Sequence, residues 1–234
     1  VVTINPKENK STMISLDRDI LTDIVGNDTQ DKLNHAYAFG GAEMAINTVQ
    51  ELLDIPIHHY VSINMKGLKD LIDAVGGIEV DNTIGEFTLD GITVPAGKIK
   101  LDGTTGLAYA RMRHEDPEGD VGRQRRQREV LIELTNKLLS FNSLLKYQEI
   151  LDVIGEHGET DLSFEQMMAM LKKYTPALKT IETDQLKGYD YTGDGVTGIE
   201  GISYQLVEES ERQRVENAIK EQMNLSKKDT EQSQ

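Results

Sequence analysis

The sequence predicts an α/β protein with a mixed central sheet, helices on both faces of that sheet and peripheral hairpins. Short segments rich in β-branched residues alternate along the chain with segments of helical periodicity. Asn-Pro, Asp-Gly and Pro-Ala-Gly turns between some of the strand segments predict β-hairpins. Because the strands of a hairpin are antiparallel, the predicted sheet is mixed and not purely parallel. The chain shows no internal repeat and no break in composition. We therefore expect one domain over residues 1–225 and a polar, flexible tail over residues 226–234.

The first half of the chain opens with a predicted hairpin. Strands over residues 1–5 and 11–16 flank an Asn-Pro turn, and a polar loop is expected over residues 17–34. Apolar side chains then recur at helical spacing from residue 42 to residue 53, and Ile55-Pro56 ends that helix. The further elements are a strand at 60–64, a helix at 68–75 ended by Gly76-Gly77, a strand at 78–80 and a hairpin at 87–101.

The second half is predicted to be mainly helical. A short helical stretch from residue 104 leads into a strand at 109–113, and a loop follows. Helices are expected at 122–140, 144–154 and 163–174, the last with a capping box of Ser163 and Gln166. Residues 180–201 are expected to form strand and loop, followed by a strand at 202–207 and a helix at 208–223.

Composition excludes several classes of protein. The 234 residues contain no cysteine, which rules out disulfides, iron–sulfur clusters and thiol catalysis. A net charge of −15 argues against non-specific nucleic-acid binding, although a local anion site remains compatible with it. No segment has the ~20 consecutive apolar residues that span a bilayer, and no signal peptide is visible. Because the chain begins without Met, we expect an excised fragment.

Positive charge is concentrated in one window against this negative background. Six of the nine arginines and only four acidic residues lie there, a balance of +2. The window contains Arg111, Arg113, Arg123, Arg125, Arg126 and Arg128 with Glu115, Asp116, Glu118 and Asp120. Arginine holds phosphate oxygens in pairs and stays charged, so this window predicts an anion site. The alternative explanation of the arginine cluster is a solvent-exposed helix face with salt bridges and no binding role.

The spacing of these residues favours the anion site. Arg111 and Arg113 are two apart on the predicted strand and would share a face. Arg123 and Gln127 head an apolar stripe of the following helix, whose members are Val130, Leu131, Leu134 and Leu138. The start of that helix favours anions, and Gly119 and Gly122 let the backbone approach closely.

Two shorter motifs are weaker candidates. Arg18-Asp19 follows a predicted strand, but an adjacent pair is by default a surface pair. Asn34-His35 precedes Tyr37 and Phe39, and a lone His before a helix is more often structural than catalytic. The chain has no nucleophile elbow, zinc-protease motif, phosphate-binding glycine loop or EF-hand loop.

Taken together, these residues resemble a known family. The marks are Ser15-Leu16-Asp17-Arg18-Asp19, Lys32-Leu33-Asn34-His35-Ala36-Tyr37, Asp73-Ala74-Val75-Gly76-Gly77-Ile78, Leu101-Asp102-Gly103, Tyr109-Ala110-Arg111-Met112-Arg113 and the run from Asp116 to Arg128. In this order and spacing they resemble the LytR-CpsA-Psr family of the Gram-positive cell envelope. The resemblance is close over residues 1–145 and looser around 202–223.

The resemblance implies a fold, a location and an activity. It implies an α/β/α domain on the extracellular face of the cell membrane, anchored by an N-terminal transmembrane helix. The expected enzyme is a phosphotransferase that moves a teichoic-acid or capsule-type glycopolymer from polyprenyl pyrophosphate to a peptidoglycan acceptor. The lipid chain would occupy an apolar tunnel, and nucleic acid is not an expected partner.

By matched position, the resemblance also implies roles for particular residues. Arg18, Arg113 and Arg123 would be catalytic and, with Arg111 and Gln127, would bind the pyrophosphate. Asp19, Asn34, His35 and Asp120 would support them. We therefore expect Arg18 and the arginine window to meet at one cleft.

The sequence departs from the family pattern at two points. Asp17 stands where the family usually has Pro, which adds negative charge beside the expected phosphate site. The family's magnesium-binding aspartates are expected upstream of Val1, so the Mg²⁺ site is not placed and the fragment is expected to be weakly active. Asp17 and Asp19 are the nearest acids, and Asp19 is expected to orient an arginine.

Two other functions stay open at this point. The first is an envelope-related transcriptional regulator or attenuator, against which net charge and the lack of a helix-turn-helix signal argue. The second is a non-catalytic module that binds polyprenyl phosphate.

Overall fold

The computed structural model describes residues 1–140, 144–193 and 201–224, which form a mixed α/β chain. Its helices are α1 (Leu33–Leu53), α2 (Met65–Ala74), α3 (Gly103–Arg111), α4 (Gly119–Ser140), α5 (Leu144–His157), α6 (Phe164–Leu178) and α7 (Glu209–Gln222). Its strands are β1 (Val2–Asn5), β2 (Lys10–Ser15), β3 (Leu21–Ile24), β4 (Thr29–Lys32), β5 (Val61–Ile63), β6 (Ile78–Asn82), β7 (Phe87–Leu89), β8 (Ile92–Val94), β9 (Gly97–Leu101), β10 (Gly158–Thr160), β11 (Ile181–Gln185), β12 (Tyr189–Gly193) and β13 (Ile202–Leu206). The predicted α/β class is confirmed.

Contacts divide the chain into two compact units. The first contains Val1–Tyr60 and the described residues from Thr180 onward, and the second contains Val61–Lys179. Each unit has its own apolar core. The arginine window therefore belongs to the second unit, whereas Arg18 belongs to the first.

The first unit is built on a mixed sheet. β2 pairs antiparallel with β1 and parallel with β11, as the hairpin and the predicted mixed sheet require. Asn5 closes the β1–β2 turn because its side-chain oxygen accepts the N–H groups of Lys7 and Glu8 at 3.0 and 3.2 Å. β12 pairs with β13, and α1 and α7 add apolar residues to the core. Its buried members are Ile14, Ile20, Leu33, Leu53, Ile55, Leu186, Val215 and Ile219.

The second unit contains α2 to α6 and three strand pairs. β5 pairs with β10, β6 with β9 and β7 with β8, all antiparallel. The Asp90-Gly91 turn joins β7 to β8 as predicted, with both residues at positive φ. α2 ends at Gly76-Gly77, also as predicted, since both glycines take the left-handed conformation and Gly77 N–H bonds Ile72 C=O at 2.8 Å.

The predicted loop over residues 17–34 is wrong. The segment contains the β3–β4 hairpin, and α1 already begins at Leu33. These strands are mostly polar, and only Ile24 and Asp31 among their residues are buried. Their main chains pair without a run of apolar side chains. The periodic helix from residue 42 is confirmed as the second part of α1, beyond a break at Gly40 and Gly41.

The predicted strand over residues 109–113 is also wrong. α3 continues to Arg111, and Met112 takes an extended conformation after it. Asp102 starts α3 with a capping box, in which its carboxylate accepts the Thr105 N–H at 2.8 Å. The expected capping box of Ser163 and Gln166 in α6 is confirmed. The predicted tail over residues 226–234 lies outside the described residues.

Candidate functional site

Arg113 and Arg123 converge on one carboxylate in the second unit. Arg123 Nη2 lies 2.6 Å from Asp120 Oδ1, and Arg113 Nε lies 3.7 Å from the same oxygen. Asp120 stands in the first turn of α4, whose free N–H groups favour negative charge. Two guanidinium groups that share one carboxylate retain net positive charge. The structure thus brings together three of the predicted site residues.

Arg123 is only partly satisfied by this carboxylate. Its side chain is 15% exposed, and its Nε is a buried donor without a hydrogen-bond partner in the described residues. A buried donor that lacks a partner lowers stability by about 1–3 kcal/mol, so such donors mark strain or a ligand. An anion bound beside Arg113 would supply the missing acceptor.

A buried ion pair organises the segment between α3 and α4. Arg126 and Asp116 form it, and both side chains are almost wholly buried. Arg126 also donates from Nε to Tyr109 C=O at 3.0 Å and from Nη2 to Met112 C=O. Asp116 accepts the Glu118 N–H at 2.8 Å. The pair therefore ties the end of α3 to the start of α4. Arg113 precedes Asp116 in sequence, and Arg123 lies between Asp116 and Arg126.

Burial and hydrogen bonding shift two pKa values around this pair. Burial raises the pKa of Asp116, but the Glu118 N–H and the Arg126 guanidinium outweigh it and hold the pKa below its ordinary value. Burial, together with a hydrogen bond from its hydroxyl to Glu129 at 2.7 Å, raises the pKa of Tyr109. Asp116 is therefore charged and Tyr109 neutral at physiological pH.

Sequence reasoning missed the central role of Arg126. The predicted stripe placed Arg123 and Gln127 toward the core with Leu131, but Leu131 is 44% exposed. The buried residues spaced every four along α4 are Gly122, Arg126, Val130 and Leu134. Arg126 lies four and eight residues before Val130 and Leu134, and this helical spacing was a sequence signal that Arg126 shares their buried face. Gly122 is required here because a Cβ would overlap the Asp116 carboxylate.

Arg111 and Gln127 lie beside this centre without joining it. Arg111 is in the last turn of α3, and its Nη1 donates to Asp90 at 3.0 Å. The shared strand face expected for Arg111 and Arg113 is therefore wrong, because α3 ends between them. Gln127 donates to Ala110 C=O at 3.3 Å, which again braces α3 against α4.

A second group of predicted residues meets at the start of α1 in the first unit. Arg18 Nε lies 3.5 Å from Asp19 Oδ2, and Lys32 Nζ lies 2.9 Å from Asp19 Oδ1. Asn34 contributes its backbone N–H, which donates to Arg18 C=O at 3.1 Å. The Arg18 side chain is 53% exposed, so it can reach a ligand.

Asp17 and Asp19 serve the turn before β3 in different ways. Asp17 is buried, and its side chain closes a turn by accepting the Asp19 N–H at 2.8 Å. Asp19 orients Arg18 and Lys32, as expected. No group of three His, Asp or Glu side chains suited to a metal occurs in the described parts of the chain. The Mg²⁺ that the resemblance implies stays a prediction.

His35 pairs with Asp31 beside this group. Its Nδ1 lies 2.7 Å from Asp31 Oδ2, four residues earlier.

Across residues 1–140, 144–193 and 201–224, the helices lack the combination of length and apolar character that a membrane span needs.

Several proteins are similar to this chain in sequence and structure. A curated polyisoprenyl-teichoic acid–peptidoglycan teichoic acid transferase, TagU of Enterococcus faecalis, is 50% identical over 96% of this chain and 72% of its own length. A crystal structure described as a transcriptional regulator from Enterococcus faecalis is 67% identical, with a TM-score of 0.88 over 99% of this chain and 85% of that one. A structure described as TagT bound to LIIa-WTA is 29% identical, with a TM-score of 0.79 over 95% of this chain and 83% of that one.

The sequence model of the LytR_cpsA_psr family matches residues 1–221, nearly the whole described chain. With a relative at 50% identity and matching structures, the chain belongs to the LytR_cpsA_psr family.

Proposed function

We propose that this protein transfers a teichoic-acid-type glycopolymer from a polyprenyl-pyrophosphate carrier to peptidoglycan. The acceptor oxygen would attack the phosphorus that bears the polymer, and polyprenyl phosphate would leave. Relatives named as teichoic acid transferases and a structure described as TagT bound to LIIa-WTA support this substrate class. An envelope location and a membrane anchor are part of the proposal.

The observation that carries the proposal is the incomplete coordination of Arg123. Its Nη2 is paired with Asp120, but its buried Nε has no acceptor in the described residues. Arg113 stands beside the same carboxylate with its side chain 49% exposed. A diphosphate presents several acceptor oxygens and negative charge, which match two guanidinium groups. Arg113 and Arg123 therefore bind the pyrophosphate and stabilise the charge that develops during transfer.

The remaining predicted residues have subordinate or separate roles in this proposal. Asp120 orients both arginines, and Gln127 braces α4 against α3. Arg111 is paired with Asp90 and stays a pyrophosphate ligand only as the family resemblance implies. Arg18, which contacts Asp19 and Asn34 in the first unit, stays a phosphate ligand and a catalytic residue only as the family resemblance implies.

Substitution of Arg123 tests the diphosphate site directly. Each charge-assisted hydrogen bond contributes about 1.5–3 kcal/mol, so Arg123→Ala should weaken binding of a soluble prenyl diphosphate at least about tenfold. Isothermal titration gives the affinity. Arg125→Ala is the matched control, because Arg125 is half-exposed and pairs with Glu118 at the surface. Equal affinities for the Arg123→Ala and wild-type proteins would contradict the site.

A turnover assay separates the transferase from a non-catalytic binding module. The protein would be incubated with a lipid-linked teichoic acid precursor and peptidoglycan, and polymer attached to the peptidoglycan would be measured. Attachment that falls in Arg123→Ala supports transfer. Tight, Arg123-dependent binding without attachment would favour the binding module.

A further inference from the structure

Two tyrosines of the first unit lie exposed on strand β12. Tyr189 is 50% exposed and Tyr191 is 42% exposed. Alternate residues of a strand point to the same side, so both side chains lie on one side of β12, with Cα atoms about 7 Å apart. In the described part of the chain, β12 pairs only with β13. Tyr189 and Tyr191 therefore form an exposed aromatic surface at a sheet edge, the tyrosine face.

The glycine two residues after Tyr191 makes room for its ring. A Cβ at Gly193 would lie 2.5 Å from Tyr191 Cε1 and 3.0 Å from its Cζ and Oη, so the ring occupies the space that a side chain would need. Gly193 does not adopt a positive φ, so the backbone conformation itself would accept other residues. The ring therefore packs on Gly193 while part of it stays exposed to solvent. A ring positioned before a ligand arrives lowers the entropic cost of binding.

The tyrosine face leads to the cationic group at the start of α1. Tyr191 is opposite Tyr204 in the register of β12 and β13, and Lys32 Nζ lies 5.6 Å from the centre of the Tyr204 ring. Lys32 and Arg18 both contact Asp19. All these residues belong to the first unit. A ligand on the tyrosine face can therefore extend toward the exposed Arg18 side chain.

An exposed pair of tyrosines suits the rings of a glycan. A sugar ring presents C–H groups on its faces and hydroxyl groups around its rim, and the C–H groups pack on the negatively polarised face of an aromatic ring. Tyrosine supplies this contact area at low cost in conformational entropy, and its hydroxyl can exchange hydrogen bonds with sugar hydroxyls. Because Tyr189 and Tyr191 are two residues apart on a strand, they can contact different sugar units of one glycan.

Charge indicates which glycan the tyrosine face binds. The sequence from residue 189 to residue 206 contains three acidic residues and no lysine, arginine or histidine. These charges repel a phosphate-rich polymer such as a teichoic acid, whereas a glycan without phosphate meets no such repulsion. Positive charge lies beyond the tyrosine face, at Lys32 and Arg18. The face therefore suits the sugar backbone of the acceptor, and not the donor polymer.

We propose that Tyr189 and Tyr191 bind sugar rings of the peptidoglycan acceptor and direct its glycan strand toward Arg18. The proposal rests on the proposed transferase function and adds the site at which the acceptor docks. The two tyrosines bind and orient the glycan, and no covalent bond is made or broken on them. Their loss therefore raises the KM for peptidoglycan and leaves the affinity for prenyl diphosphate unchanged.

Titration with a short chitin oligosaccharide tests the site, because this probe is an uncharged glycan of N-acetylglucosamine. Tyr191→Ala should weaken its binding about tenfold, since one stacked aromatic ring is lost. Tyr191→Phe keeps the ring and should bind within about threefold of the wild type, since only a hydroxyl is lost. Gly193→Ala keeps the tyrosine but displaces its ring, so it should also bind more weakly. Phe164→Ala is the matched control, because Phe164 is 47% exposed but belongs to the second unit.

The turnover assay gives a second measurement on the same proteins. In the double variant Tyr189→Ala/Tyr191→Ala, the KM for peptidoglycan should rise by at least about tenfold. Binding of a prenyl diphosphate, which does not involve the tyrosine face, should equal that of the wild type.

Three outcomes would overturn the assignment. The first is a wild-type protein that does not bind the oligosaccharide, or a Tyr191→Ala variant that binds it equally well. The second is tyrosine-dependent binding of a glycerol phosphate polymer in place of the oligosaccharide, which would assign the face to the donor. The third is a dimer that the double variant converts to a monomer with no change in sugar binding, which would assign the face to a second copy of the chain. Tyrosine-dependent sugar binding by a protein that attaches no polymer would support the sugar site and contradict the transferase function.

Discussion

Arg123 and Arg126, three residues apart in α4, use the same guanidinium group for different purposes. Arg126 is buried, and the Asp116 carboxylate and two backbone carbonyl oxygens accept its hydrogen bonds. Arg123 retains a buried donor without a described acceptor. The difference arises because Arg126 falls on the buried face of the helix, while Arg123 lies at its margin, facing Asp120. One arginine builds the site and the other is available to a ligand.

The Arg126–Asp116 pair predicts a strong and non-additive effect on stability. Arg126→Met leaves a buried carboxylate unpaired, which should lower the free energy of unfolding by about 3–5 kcal/mol. The double variant Arg126→Met/Asp116→Leu should be more stable than Arg126→Met, because no unpaired charge remains. Urea unfolding measures both. Arg125→Met, which breaks only a surface pair, should change stability by less than about 1 kcal/mol.

The same pair gives the sign of the pH dependence. The pKa of Asp116 is lower in the folded than in the unfolded chain, so its stabilising effect is present above the unfolded pKa of ~3.9. That stabilisation is lost as pH falls through the folded value. The wild-type protein should therefore lose stability below about pH 4, and the double variant should lose less. An equal acid loss in both proteins would contradict this account.

At the scale of single elements, α1 is shaped by a backbone conformation that few residues adopt. Gly41 has φ 64° and ψ −154°, and with Gly40 it interrupts the helix. A Cβ on Gly41 would meet no atom within 4 Å, so the constraint is in the backbone and not in packing. The break separates the His35 end of α1 from the periodic segment that packs on the first core.

Matched glycine substitutions test this constraint. Gly41→Ala should lower the free energy of unfolding by about 1–3 kcal/mol, since that conformation is nearly restricted to glycine. Gly155→Ala, in the interior of α5 with open space at its Cβ, should instead raise it by up to about 1 kcal/mol. Thermal unfolding of the two variants compares them. Gly41→Ala with wild-type stability would show that α1 can relax at this position.

At the scale of the whole molecule, charge is distributed unevenly. The chain carries −15 overall, yet six of nine arginines lie within 18 consecutive residues, 111–128. Many of these arginines are engaged by local carboxylates, as Arg111, Arg123, Arg125 and Arg126 are. Such an arrangement suits one compact anion, whereas a polyanion would meet repulsion over most of the surface.

This distribution predicts that the protein does not act by binding DNA. Fluorescence anisotropy with duplex DNA at about 0.15 M salt should show no association at micromolar protein. The reason is that few cationic side chains are available to neutralise DNA phosphates and release the counterions of the DNA. The same preparation should bind a prenyl diphosphate. Sequence-specific DNA binding under these conditions would instead favour a transcriptional regulator, the description given to one similar crystal structure.

Local patterns in the amino-acid order were enough to predict most elements and to single out the segment in which Arg113 and Arg123 converge. The β1–β2 hairpin, the Asp90-Gly91 turn, the glycines after α2 and the capping box of α6 each depend on a few neighbouring residues. The convergence of Arg113 and Arg123 followed from the local surplus of arginine and the family motifs, with Asp120 as their shared partner. Their roles as pyrophosphate ligands stay a prediction.

Packing between distant residues decided what these patterns left open. The alternation at Arg111 and Arg113 indicated a strand, but the cap at Asp102 and the contacts of α3 with α4 made the segment helical up to Arg111. The polar composition of residues 17–34 hid the β3–β4 hairpin, because its main-chain pairing does not depend on apolar side chains. Which arginine is buried depends on where Asp116 and the carbonyls of Tyr109 and Met112 lie. Burial of a charge requires partners from several segments at once, and these meet only when the chain has folded.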